Sequence, residues 1–143
     1  MGMAMTPCIL PGVGKAGFHL AEDEVEIGMG IHGEPGVSRE KISSAAETSE
    51  KLVARLLEDM DFSGSEVAVM VNGLGGTPLM ELYIVYNEVE RILLEKGIRV
   101  FRSYIGNYMT SLEMSGCSIT LLKLDEELKG YLAAPAVTPA FHS

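Results

Sequence analysis

Of the three histidines in this chain, His32 stands where chemistry is most readily built. It follows Val25, Ile27, Met29 and Ile31, which alternate with Glu24, Glu26, Gly28 and Gly30. That period of two predicts a half-buried strand. The glycines leave one face of the strand bare near its end, so something is expected to approach the backbone there. His32-Gly33-Glu34-Pro35-Gly36 follows, and its glycines and proline end regular structure. Ligand sites in α/β proteins often lie at strand ends, on loops held by a rigid sheet. Neutral imidazole is a nucleophile near neutral pH, because its ordinary pKa is about 6.5. Gly30 and Gly33 would let a small substrate come close, and Glu34 could orient the ring or simply be exposed. The same spacing also fits a turn histidine bonded to backbone, and spacing alone favours that plainer role. His19, in a predicted hairpin, and His142, in the terminal tail, read as surface residues.

Other constellations are weaker. Gly73-Leu74-Gly75-Gly76-Thr77-Pro78 opens a predicted helix and could cradle an anion on free N–H groups. It lacks the Gly-Lys-Ser/Thr ending of a phosphate-binding loop and the spacing of a dinucleotide fingerprint. A tight strand-to-helix turn capped by Thr77 accounts for it better. No His or Cys pair has metal-ligand spacing. Glu22, Asp23, Glu24 and Glu26 read as a solvated turn and strand face.

The elements that must position these residues follow from periodicity. Phe18 to Leu20 and Val25 to Ile31 read as two arms of a hairpin around the polar turn 21–24. Ser44-Ala45-Ala46-Glu47 is a capping box, and Leu52, Val53, Leu56, Leu57 and Met60 continue at helical spacing. Val67 to Val71 is a short apolar run, predicting a buried strand. Pro78 opens a helix with Leu82, Tyr83, Tyr86, Val89 and Leu93 on one face, and Gly97 stops it. Ile98 to Tyr104 is the next strand, which makes a strand–helix–strand unit with parallel pairing. Cys117 to Leu124 reads as a strand, Asp125 to Leu132 as a short helix, and Pro135 to Pro139 as an extended tail. The sum is an α/β fold: a mixed β-sheet flanked by helices, in one domain over residues 1–143.

Composition bounds the function. Nearly half of the 143 residues are apolar, which is a globular composition, and the formal charge of −9 disfavours nucleic acid and anionic membrane as partners. No run approaches the roughly 18–20 apolar residues of a membrane span, and the N-terminus lacks the charged and apolar regions of a secretion signal. Met1 to Thr6 fits a loose myristoylation pattern, which carries little weight. Cys8 and Cys117 are expected to be reduced thiols in a cytoplasmic protein.

Taken together, several blocks carry a resemblance. Glu26-Ile27-Gly28-Met29-Gly30-Ile31-His32-Gly33-Glu34-Pro35-Gly36 resembles the signature of the dihydroxyacetone (glycerone) kinase substrate-binding subunit, the DhaK family. Val71 to Pro78, Glu81-Leu82-Tyr83, Thr110 to Gly116 and Ser118 to Leu122 match in order, as does Pro7 to Lys15. The resemblance spans nearly the whole chain and implies the second of the subunit's two α/β domains. It implies that His32 forms a hemiaminal with the ketose carbonyl, with Gly33 and Glu34 beside it at the substrate. A phosphoryl group would then pass to a terminal hydroxyl, from ATP or from a subunit holding ADP that a phosphotransferase-system protein recharges. Nucleotide and Mg²⁺ would sit on that other subunit or domain, with no cofactor here. The N-terminal domain, with the family's aspartate base and second histidine, is absent from these residues. The chain therefore reads as part of a longer protein, inactive as a kinase alone. A homodimer is expected, and a non-catalytic coactivator or binding paralogue is the alternative.

Overall fold

The computed structural model describes residues 1–9, 11–30 and 34–142. In chain order the elements are β1 (Gly2–Ala4), β2 (Glu24–Ile27), β3 (Ser38–Lys41), α1 (Ala45–Asp59), β4 (Glu66–Gly73), α2 (Leu79–Glu95), β5 (Arg99–Gly106), β6 (Gly116–Leu124) and α3 (Glu126–Ala133). The strands form one six-stranded sheet in the order β3-β2-β1-β6-β4-β5. Only β4 and β5 pair in parallel, across the α2 crossover; the other neighbours are antiparallel. This is the expected mixed α/β sheet.

One face of the sheet carries the core. Val67, Val69 and Val71 of β4 alternate inward with Cys117 and Ile119 of β6, beneath Leu52 and Val53 of α1 and Leu82, Val89 and Leu93 of α2. Each fully buried Val or Leu contributes roughly 1.5–3 kcal/mol relative to exposure. α1 starts where expected. The Ser44 hydroxyl accepts from the Glu47 amide at 3.3 Å, and the Glu47 carboxylate accepts from the Ser44 amide at 3.0 Å. Lys96 is the C-cap of α2, and Gly97 turns the chain at φ 73°, a conformation that suits glycine.

Three expectations are corrected. Phe18 to Leu20 forms no strand, so β2 is not half of a hairpin with it. β2 pairs instead with β1 and β3. β1 (Gly-Met-Ala) is too short to show a period, and β3 (Ser-Arg-Glu-Lys) is a charged edge strand, a device that blunts an open sheet edge and hides it from hydrophobicity-based reading. Second, β2 stops at Ile27, four residues before the alternation does. Third, Thr77 does not cap α2; Pro78 occupies the cap position without a side-chain bond.

The opposite face of the sheet is set by the same registers. Gly2 pairs with Ser118, Ser118 with Asn72, and Asn72 with Gly106, so these four cross β1, β6, β4 and β5 in one row. Ala4 and Glu26, also paired, share that face. α3 packs there too: the Arg102 guanidinium donates to the Leu132 carbonyl, and Leu132 and Tyr131 border a hollow with Met70 and Tyr104. Cys8 and Cys117 are free thiols, half-buried and buried.

Candidate functional site

The chain from Gly28 to Val37 forms a loop that leaves β2 and returns to β3. Its base is closed by backbone bonds. The Val37 amide donates to the Ile27 carbonyl at 2.7 Å, and the Gly28 amide to the Gly2 carbonyl at 2.6 Å. Further out, the Gly30 amide donates to the Glu34 carbonyl at 3.2 Å. Such loops, with ends held together and packed on themselves, are frequent carriers of function. His32 and Gly33 lie outside the described residues, as does Ile31. The structure describes their flanks, Gly30 and Glu34.

Those flanks explain the glycines differently from the sequence reading. A Cβ on Gly28 would meet the Val37 side chain at 3.0 Å, and one on Gly30 would fall 2.8 Å from Glu34 Cδ. What approaches the bare backbone at both positions is the returning limb of the loop itself. Glu34 is exposed at the surface, with its side chain laid over Gly30. Gly2 plays the same part below: a Cβ there would stand 3.2 Å from the Met29 carbonyl oxygen, so the missing side chain lets the loop lie on the sheet.

Glu26 is the principal correction. It was expected on a solvated strand face, yet it is only 6% exposed. The loop folds over it, and its Oε1 accepts from the Gly36 amide at 2.7 Å. Its Oε2 lies 3.4 Å from Arg39 Nε on β3. The alternation put Glu26 correctly opposite Val25 and Ile27; only the returning limb decided that this side is covered. The other acidic residues of the turn do reach solvent. A hydrogen bond from Lys41, at 2.7 Å, holds the exposed Asp23 carboxyl below its ordinary range.

Across the same face, Asn72 holds a second loop. It is 2% exposed and fully engaged. Its Oδ1 accepts from the Tyr108 amide at 2.8 Å and the Met109 amide at 2.9 Å, and its Nδ2 donates to the Met109 carbonyl at 2.6 Å and to Ser118 Oγ at 3.3 Å. Tyr108 packs edge-on to Tyr104 at 6.1 Å and against Phe141 at 6.2 Å. These rings wall an open hollow of about 360 Å³ that Arg102 and His142 also border. The row Gly2–Ser118–Asn72–Gly106 thus forms a floor, with Gly28 and Met29 over one end and the 107–110 loop over the other. Sequence reading missed Asn72, and the Asn-Gly pair after an apolar run was the only signal available.

The Gly73–Gly76 loop is a packing device. Cβ atoms on Gly75 and Gly76 would fall 2.8 Å from the Leu112 carbonyl oxygen and 2.7 Å from that of Glu113. The Gly76 amide is spent on the Met114 carbonyl at 2.9 Å. Thr77 Oγ1 donates to the Gly116 carbonyl at 2.6 Å and accepts from its amide at 2.8 Å, which locks this turn to the start of β6. A loop pressed against carbonyl oxygens does not fit a phosphate, so no nucleotide chemistry is assigned to it. Among the described residues, no group of three His, Cys, Asp or Glu side chains is placed to hold a metal, and no helix is long and apolar enough to cross a membrane.

The fold and these loops belong with a known class. Residues 1–140 match the Dak1 domain, and the chain is a member of that family. It is 48% identical over 142 residues to the "PTS-dependent dihydroxyacetone kinase 2, dihydroxyacetone-binding subunit DhaK" of Listeria innocua, covering 99% of this chain and 43% of that one. It is 45% identical to the "D-erythrulose kinase" of Mycolicibacterium smegmatis, covering 99% of this chain and 24% of the relative. A solved structure, the "Dihydroxyacetone kinase operon co-activator Dha-DhaQ", superposes with a TM-score of 0.85 at 39% identity, covering 94% of this chain and 42% of that one. The chain thus spans less than half the length of these relatives.

Proposed function

We propose that this chain is the C-terminal, ketose-anchoring domain of a dihydroxyacetone kinase subunit, and that His32 is the anchor. The observation that carries this reading is the intact Gly28–Gly36 block around His32, in a Dak1 chain 48% identical to a dihydroxyacetone-binding subunit. A ring nitrogen of neutral His32 attacks the carbonyl carbon. A C–N bond forms, the C=O π pair moves to oxygen, and oxygen gains the proton that the imidazole loses. The product is a hemiaminal, with nothing expelled. Gly33 and Glu34 flank the bound ketose, Glu34 as an orienting neighbour.

The chemistry suits a substrate this small. Non-covalent contacts to so few atoms yield little affinity. Addition to a carbonyl also rejects glycerol, which has hydroxyls but no carbonyl. It fixes a terminal hydroxyl in line with the donor phosphate, and positioning is a large part of phosphoryl transfer. The donor, ATP or a phosphotransferase-system ADP subunit, with its Mg²⁺, sits on a partner subunit or domain. An N-terminal domain supplies the aspartate base and the rest of the pocket. The subunit is cytoplasmic and a homodimer, and light scattering tests the dimer.

The test is His32→Ala in the full-length protein with its donor. Crystals soaked with dihydroxyacetone should lose continuous density from imidazole to carbonyl carbon, binding should weaken and turnover should fall, while the fold is kept. Binding to the parent should also weaken as pH falls through the histidine pKa, because the attacking species is neutral. Equal binding by parent and variant, with no continuous density in the parent, sinks the reading. The superposition on a solved operon co-activator favours a second reading, a non-catalytic paralogue. Ketose binding without any turnover in the presence of either donor would support that one.

A further inference from the structure

We infer that Glu26 is a positioning residue for the ketose anchor: its buried carboxylate ties down the loop that carries His32. The inference rests on the reading of His32 given above. A carboxylate is costly to bury, and a strand position facing a covered surface would ordinarily take an apolar residue. Here the carboxylate is 6% exposed, and it joins three parts of the chain. It belongs to β2, it accepts from the Gly36 amide at 2.7 Å on the returning limb, and it faces Arg39 Nε at 3.4 Å on β3. Its Oε2 is buried, makes no hydrogen bond among the described residues, and is held by the ion pair with Arg39.

The geometry gives this tether leverage. The Gly30–Glu34 backbone bond spans residues 31–33 on the inside, and the Glu26–Gly36 bond spans the same residues further out. A Cβ on Gly36 would stand 2.6 Å from Glu26 Cγ, so glycine there is what allows the limb to reach the carboxylate. A covalent anchor must meet the carbonyl carbon at bonding geometry, and displacement by about 1 Å can cost on the order of a hundredfold in rate. The contacts of Glu26 are to Gly36 and Arg39, so it acts through the loop.

The experiment uses Glu26→Leu and Glu26→Gln in the full-length protein with its phosphoryl donor. Leu removes the acceptor; Gln keeps one acceptor for the Gly36 amide but loses the charge facing Arg39. Three quantities are read: amide hydrogen exchange across 34–37, the shift of carbonyl-¹³C-labelled dihydroxyacetone from a ketone to a tetrahedral carbon, and KM against kcat. Loss of a charge-assisted bond should speed exchange by roughly tenfold or more in the Leu variant. The tetrahedral signal should fall by a similar factor, KM should rise more than kcat falls, and Gln should restore part of each. A Leu variant with the parent's tetrahedral signal and KM overturns the proposal, whether or not exchange has changed. If Leu does not fold, a Gln variant identical to the parent in all three readouts overturns it. A parent without any tetrahedral signal removes the His32 reading and the positioning role with it, while exchange still reports whether Glu26 holds the loop.

Discussion

Replacing Asn72 by leucine should destabilise the fold by about 3 kcal/mol, although the side chain keeps the same branched, four-heavy-atom skeleton. Asn72 makes three close bonds to the 107–110 loop and a fourth, longer one to Ser118 Oγ at 3.3 Å. A net hydrogen bond is worth about 1 kcal/mol, and orphaning a buried partner costs about 1–3 kcal/mol. Three bonds at the lower value give about 3 kcal/mol. Tyr108 and Met109 are exposed, so water can re-satisfy their amides if the loop lifts, which keeps the sum from the upper bound. Ser118→Ala removes only the long bond and should cost under about 1 kcal/mol. The assay is equilibrium urea unfolding followed by circular dichroism, with amide exchange at Tyr108 and Met109. With a slope of about 2 kcal/mol/M, the midpoint should drop by about 1.5 M, and the melting temperature by roughly 10 °C. A loss below about 1 kcal/mol with both amides still protected would refute the reasoning, because the loop would then be held by its aromatic contacts.

Other outcomes follow from the same structure. Thr77→Val keeps the shape and deletes both bonds to Gly116, so unfolding experiments should show a loss of about 2 kcal/mol. Ser44→Ala should cost about 1 kcal/mol by the same measurement, since it breaks the capping box of α1. Gly36→Ala should cost about 1–3 kcal/mol, because the new Cβ overlaps Glu26 and the β2 backbone; an unchanged melting temperature would contradict that packing. Burial pushes the Cys117 thiol up to about 11 from its usual 9.0. The folded state then holds a proton that the unfolded state has lost, so stability should decline as pH rises from about 9 to about 11, and a Cys117→Ser variant should lose that slope. A thiol reagent at pH 8 should modify Cys117 only on unfolding.

Much of this architecture is written locally. The capping box at Ser44, the helical stripe from Leu52 to Leu57, the alternation of Val67, Val69 and Val71 and the stop at Gly97 all act over one or two turns or a few strand residues, and each appears where the residues place it. Parallel pairing of β4 and β5 followed from the helix between them. The family, too, was legible, because its blocks are continuous stretches of chain. Tertiary structure decided what depends on partners distant in sequence. β3 exists as a strand because β2 pairs with it, β1 because it lies between β2 and β6, and neither has a period of its own. Thr77 looked like a cap because its partner, Gly116, is 39 residues away. Asn72 went unnoticed and Glu26 looked like a surface acid for the same reason. A side chain's type says which bonds it can make, but only the returning chain supplies the other atom and shuts out water. That closure turned a half-exposed strand face into a floor covered by the described flanks of the loop, Gly28–Gly30 and Glu34–Val37.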